Sequence, residues 1–322
     1  MTSLGDQSAR FLARFEGLEV PDWTDPSDLT RLSLEAVARD QVLGRDLPST
    51  GRVRLTGPAV GENSARLDSA GDVLVKVQKL VTALGASIEG FKSQVGVLAD
   101  RVRARTQLRL VAGSAPGSVQ LFVVPEMPPA AELYPGGHVP LVDEDQTLID
   151  RSAEALLDLL ELASVPLPDA RDMTDRLNSW GPRVATSVRN LSSAVVDTGI
   201  EVEWSWAVPN GGRRVAKLST AGAQWFGEVV AGRNLDVEEV TIRGVLHTIS
   251  DTTAWEMRTE GGERIRLKHG DIPASTVSAL HVGQRVMVVA TVEVVLLPGG
   301  TERADYTALT VTSLSESDQP FA

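Results

Sequence analysis

The chain has 322 residues, 42% of them apolar and 23% charged, with a net charge of −12 and no cysteine. That length exceeds one ordinary core and predicts two or three domains, the acidic balance argues against nonspecific nucleic-acid binding by the whole surface, and the missing cysteine removes disulfides, thiolate metal sites and cysteine nucleophiles. The apolar runs fall well short of the roughly 18 residues a membrane span needs, and Asp6, Arg10, Arg14 and Glu16 occupy the place of a signal core, so a cytoplasmic protein with no membrane partner is expected.

Residues 1–50 pattern as an N-terminal helical arm of two short helices, 7–16 and 27–40, each with one apolar stripe. Residues 51–125 read as a small α/β sheet domain. Val53 and Leu55 alternate with Arg52 and Arg54 as in a half-buried strand. A helix follows over 69–84, with Ser69 and Asp72 spaced as a capping box and Gly85 placed as a left-handed C-terminal cap. Residues 101–112 and 118–124 flank the turn Gly113–Gly117 and predict a β-hairpin.

This stretch is basic, with ten Lys and Arg against five acids between Gly51 and Pro125, so the remainder of the chain carries −17. If 101–112 is a strand, Arg101, Arg103, Arg105 and Arg109 share a face with Arg52 and Arg54. Such a face can hold phosphates or dock an acidic partner, and it equally describes the solvated side of a sheet packed on its other side.

Residues 126–146, rich in Pro and Gly, predict a linker. Residues 147–235 predict a helical region carrying a hairpin: a strongly apolar helix at 147–163, a second helical stretch at 170–196 bent at Gly181-Pro182, and a helix at 220–230. The hairpin 201–218 places Trp204 and Trp206 on one face. They fit a partner-binding anchor, or a core covered by the helix carrying Trp225 and Phe226. Asp143-Glu144-Asp145 and the acids between Asp169 and Asp175 precede or open helices, where carboxylates complement the helix dipole.

Residues 236–316 give the order strand, strand, strand, short helix, strand, strand, with turns at Glu260–Gly262 and Pro298–Gly300 and a bend at Gly244. That order resembles an OB-type five-stranded barrel, a likeness of fold alone that covers about a quarter of the chain. The resemblance implies a binding module. Residues 236–314 hold eleven acids against seven bases, and only Trp255 and Tyr306 are aromatic, which favours a protein partner over nucleic acid. Arg264, Arg266 and Lys268 alternate along the third strand as one basic stripe. Residues 317–322 are expected to form a disordered tail.

No Gly-x-Ser-x-Gly, GxGxxG or Walker-type loop occurs, and His138, His247, His269 and His281 lack helical zinc-ligand spacing. The expectation is therefore an α+β protein without catalytic residues, metal or cofactor. It would be a binding or scaffolding protein that engages a protein partner, or a second copy of itself, through the barrel, with Trp204, Trp206, Trp255, Arg264, Arg266 and Lys268 as contacts. The alternatives are a nucleic-acid-binding accessory factor using Arg52, Arg54, Arg101, Arg103, Arg105 and Arg109, and an enzyme with a site assembled from distant residues.

Overall fold

The computed structural model describes residues 48–61, 64–96, 98–111, 119–133, 146–164, 170–209, 212–250, 253–296 and 302–314. The helical arm, the Gly113–Gly117 turn, most of the linker with Asp143–Asp145 and His138, the Pro298–Gly300 turn and the tail lie outside the described residues.

The fold is α+β, with eight helices among the described residues and two sheets. Strands β1 (Thr50–Thr56), β2 (Leu108–Val111), β3 (Val119–Pro125), β4 (Glu201–Ala207) and β5 (Arg213–Leu218) form one antiparallel sheet in the order β2-β3-β1-β4-β5. The sheet has five strands because the Trp-bearing hairpin, expected in the separate 147–235 region, joins it. Val53 pairs with Leu121 and Trp204, and Leu55 with Val119 and Val202, which lines up one apolar face across the central strands.

Helices α1 (Leu67–Ile88), α4 (Leu148–Ser164), α6 (Pro182–Thr198) and α7 (Thr220–Gly232) bury their apolar stripes in the same core as that face. The remaining helices of this body are α2 (Asp100–Thr106), α3 (Pro129–Leu133) and α5 (Ala170–Trp180). Helix α1 does not stop at Gly85. It continues to Ile88, and a Cβ on Gly85 would lie 2.4 Å from Cγ2 of Thr106, so this glycine permits close helix packing. The capping box is not formed either: Arg66 is the N-cap, and its side chain makes no capping bond. At Gly181 the chain breaks instead of bending. A φ of +88° there separates α5 from α6, and Pro182 opens the new helix.

The second sheet is a closed barrel of β6 (Glu238–Thr248), β7 (Trp255–Thr259), β8 (Arg264–His269), β9 (Arg285–Leu296) and β10 (Glu302–Ser313), with α8 (Ala274–Ser278) between β8 and β9. The order β10-β8-β7-β6-β9, antiparallel except for the β8–β10 pair, is compatible with an OB-type barrel. Alternation fills its interior: Trp255, Met257, Leu267, Val286, Val288 and Ala290 are buried. Gly244 faces inward where a Cβ would meet the Arg258 carbonyl oxygen at 2.2 Å. No helix among the described residues is long and apolar enough to cross a membrane.

Candidate functional site

The six-arginine face is not formed. Residues 100–106 are helix α2, and only Leu108–Val111 continues as a strand. The alternation Arg101-Val-Arg-Ala-Arg105 looks like a strand, but Val102 and Thr106, four apart, are the buried positions, which is helical spacing. Asp100 in the first turn and Arg103 and Arg105 in the last complement the helix dipole.

Arg105 is bound into the body. Its Nη2 lies 2.7 Å from Oε1 of Glu132 and its Nη1 3.2 Å from Oε1 of Glu89, and the Glu132 carboxylate also accepts from the Leu148 amide. Burial opposes the Arg105 charge, yet these two carboxylates hold its pKa above the usual arginine value. Arg101 stacks over Phe91, and Arg109 pairs with Glu126 at 2.5 Å. Arg52 and Arg54 approach Glu203 of β4 at 3.5 and 3.8 Å, a cross-strand pairing within the sheet.

The tryptophans are core. Trp204 and Trp206 are 0% and 2% exposed and stack with ring centroids 5.6 Å apart. The Trp206 indole donates to Oδ1 of Asp150 at 2.9 Å, and Asp150 accepts at Oδ2 from the Thr147 hydroxyl at 2.6 Å. The cover over Trp206 is therefore α4, not the helix with Trp225 and Phe226, which packs against α6. Trp255 is likewise buried inside the barrel and edge-on to His269. None of the three presents a surface to a partner.

The barrel stripe does form. Arg264, Arg266 and Lys268 point outward from β8 while Ile265 and Leu267 point in. Arg266 faces Glu256 at 3.3 Å and Lys268 faces Asp305 at 3.1 Å, and Arg285 and Arg303 are similarly matched to Glu260 and Asp305. Three exposed arginines differ. Arg243, Arg258 and Arg264 make no ion pair with any described residue. Arg258 and Arg264 are direct cross-strand partners, and Arg243 sits diagonally from Arg258, since Val245 is opposite it. Like charges placed opposite each other cost stability.

Body and barrel meet at a polar joint. The backbone N–H of Gln94 donates to Oε2 of Glu238 at 2.7 Å, its side-chain amide donates to the Asp236 carbonyl, and its Oε1 accepts from the Val294 amide at 3.1 Å. Arg189 of α6 pairs with Asp236 and, at 2.8 Å, with Glu293. Asp236 is 2% exposed, and burial pushes its carboxyl above the usual range, with Arg189 only partly offsetting this.

Beside the joint lies a cleft of about 330 Å³, where the end of the barrel that carries the inward-facing Val294, Ala304 and Tyr306 opens onto Lys79 of α1, Arg103 of α2 and Arg183 of α6. Only an assembled fold brings these three cations together, which is why the spacing of motifs in the sequence does not reveal them. Among the described residues, no group of three or more His, Cys, Asp and Glu side chains gathers as a metal site would require. Set against known proteins, the chain matches no family model and no curated protein.

Proposed function

We propose that this chain is a non-enzymatic binding protein whose barrel, read as OB-like, engages an acidic protein partner through its β6-β7-β8 face. One observation supports the reading above the others. In a barrel with more acids than bases, four cations are paired with three carboxylates on the same surface, while Arg243, Arg258 and Arg264 are left together with no carboxylate of the described residues paired to them. A partner that supplies carboxylates repays the repulsion between Arg258 and Arg264 through charge-assisted, bidentate hydrogen bonds. Trp255 and Tyr306 are turned inward, so neither offers a stacking platform for bases on that face, and this favours an acidic polypeptide over nucleic acid.

The test is binding of an oligoglutamate peptide and of single-stranded DNA at two salt concentrations, with the variant Arg258→Glu/Arg264→Glu beside the wild type. The reading expects the peptide to bind and the double variant to lose about a hundredfold in affinity, near tenfold per arginine. DNA binding stronger than peptide binding moves the function to the nucleic-acid alternative. Peptide affinity indifferent to the double substitution removes the face from the function.

A further inference from the structure

The cleft at the barrel mouth is a second and separate feature. Its body wall carries Lys79, Arg103 and Arg183, contributed by three different helices, and its barrel wall carries Glu263 and Tyr306. Arg183 is also structural, since its Nε donates to the Ser93 carbonyl at 2.8 Å and holds the 93–96 loop in place. Arg103 is exposed and makes no ion pair with any described residue.

A narrow recess continues from the cleft between α1 and α6, and both share Lys79, Gln94, Arg183, Ser187 and Val294. The recess adds Lys76, Thr186 and Asn190. Thr186 is 4% exposed, and its hydroxyl makes no hydrogen bond with any described group, although a threonine in a helix can reach the carbonyl four residues back. A buried hydroxyl left in this state costs stability, of the order of 1 kcal/mol or more, unless something else meets it. Tyr306 faces the same space from the barrel. Burial first, and then the carboxylates of Glu263 and Glu238, raise its pKa, so at neutral pH its hydroxyl keeps its proton and can donate.

We propose that this cleft binds a small organic phosphate: the phosphate seats between Lys79 and Arg103, the Thr186 hydroxyl reaches it through one water held in the recess of about 30 Å³, and a hydroxyl-bearing body reaches Glu263 on the barrel wall. The walls are chemically divided as such a molecule requires. Cations and a hydroxyl donor lie on the body side, and a carboxylate acceptor lies on the barrel side. The volume is at the small end of ligand pockets, which fits a sugar phosphate and excludes a polymer. Because the two walls belong to different units, the bound molecule would also tie barrel to body alongside Gln94 and Arg189.

Calorimetric titration with glucose 6-phosphate, inorganic phosphate and glucose tests this, using wild type, Arg103→Glu and Thr186→Val. The expected result is that glucose 6-phosphate binds more tightly than inorganic phosphate and glucose does not bind. Arg103→Glu should raise the Kd about tenfold or more, and Thr186→Val about threefold to tenfold, without lowering the melting temperature. The valine variant loses only an unmet hydroxyl, so weakened binding cannot be attributed to unfolding. The proposal is overturned if none of the three molecules binds at millimolar concentration, or if both variants bind glucose 6-phosphate as the wild type does. Since neither substitution touches Arg258 or Arg264, its failure is independent of the acidic-partner reading.

Discussion

Two sets of arginines, one in the body and one on the barrel, are treated in opposite ways. In the body, Arg105 is clamped between Glu89 and Glu132, and Arg214 lies 2.8 Å from both Asp158 and Glu161, so these cations fasten one element to another. The barrel, whose composition is more acidic, leaves Arg243, Arg258 and Arg264 side by side with no carboxylate of the described residues paired to them. The residue count of a segment therefore says little about the charge it offers to a partner. What decides is whether neighbouring strands and helices have already supplied the counter-ion.

The sharpest way to test whether the two units are energetically distinct is to damage one core. Trp206→Ala should cost about 3–5 kcal/mol, since it opens a cavity in the body and leaves the buried Asp150 without its indole donor. Calorimetry should show the body transition falling while the barrel transition moves much less. A single transition that falls as a whole would mean that the joint couples the two into one cooperative unit.

A matched pair of substitutions then addresses the arginines themselves. Arg105→Gln should destabilise by about 2–3 kcal/mol, because it leaves the largely buried Glu132 carboxylate uncompensated. Arg264→Gln should stay within about 0.5 kcal/mol of wild type, or stabilise slightly, by relieving its repulsion with Arg258. Chemical denaturation compares the two, and equal costs would break the contrast.

At the joint, Gln94→Ala should cost about 1–2 kcal/mol, as it removes the amide that meets the Asp236 carbonyl and the Val294 N–H. Limited proteolysis should cut faster between α7 and β6, around 233–237, and unchanged cleavage would show that Arg189 and the backbone N–H of residue 94 hold the barrel without the Gln94 side chain.

The smallest effect is one of sign with pH. Asp236 has a raised pKa in the fold, so between its ordinary value and the raised one the folded state binds more protons than the unfolded chain; its contribution to stability improves as pH falls through the raised value. Asp305 is the reverse. The hydrogen bond from Lys268, with that from Arg303, lowers its pKa, and the stability it gives is lost as pH falls from its unfolded value through the lowered one. Asp236→Asn and Asp305→Asn should therefore alter the acid limb of the stability curve in opposite directions. Shifts of the same sign would contradict the environments described for them.

Much of the fold was legible where period and punctuation agree. The barrel strands fall close to their expected places because inward and outward residues alternate between clear turns, and the 201–218 hairpin was visible in the same way. Helix α2 was misread because a run of alternating arginines satisfies a two-residue period and also leaves Val102 and Thr106 on one helical face; its acidic start and basic end carried the deciding signal. The separation of the sheet from the Trp hairpin was also a local reading, since the β1–β4 pairing spans about 150 residues and has no motif of its own. The outward stripe on β8 was legible, but its neutralisation by Glu256 and Asp305 was not, and neither was the isolation of Arg258 and Arg264, which depends on cross-strand register. The cleft was invisible for the same reason.

Gln94 carries a consequence for how such a protein can be rearranged. Among the described residues the chain passes from body to barrel once, just after α7, so the barrel is a cassette with a single point of attachment. What fixes its orientation is written elsewhere, in a residue 144 positions upstream of Glu238 and in Arg189 of α6. A chimera that exchanges barrels at 233–237 will join cleanly and still hang loose, unless the incoming barrel presents a carbonyl, an amide and three carboxylates to those two residues.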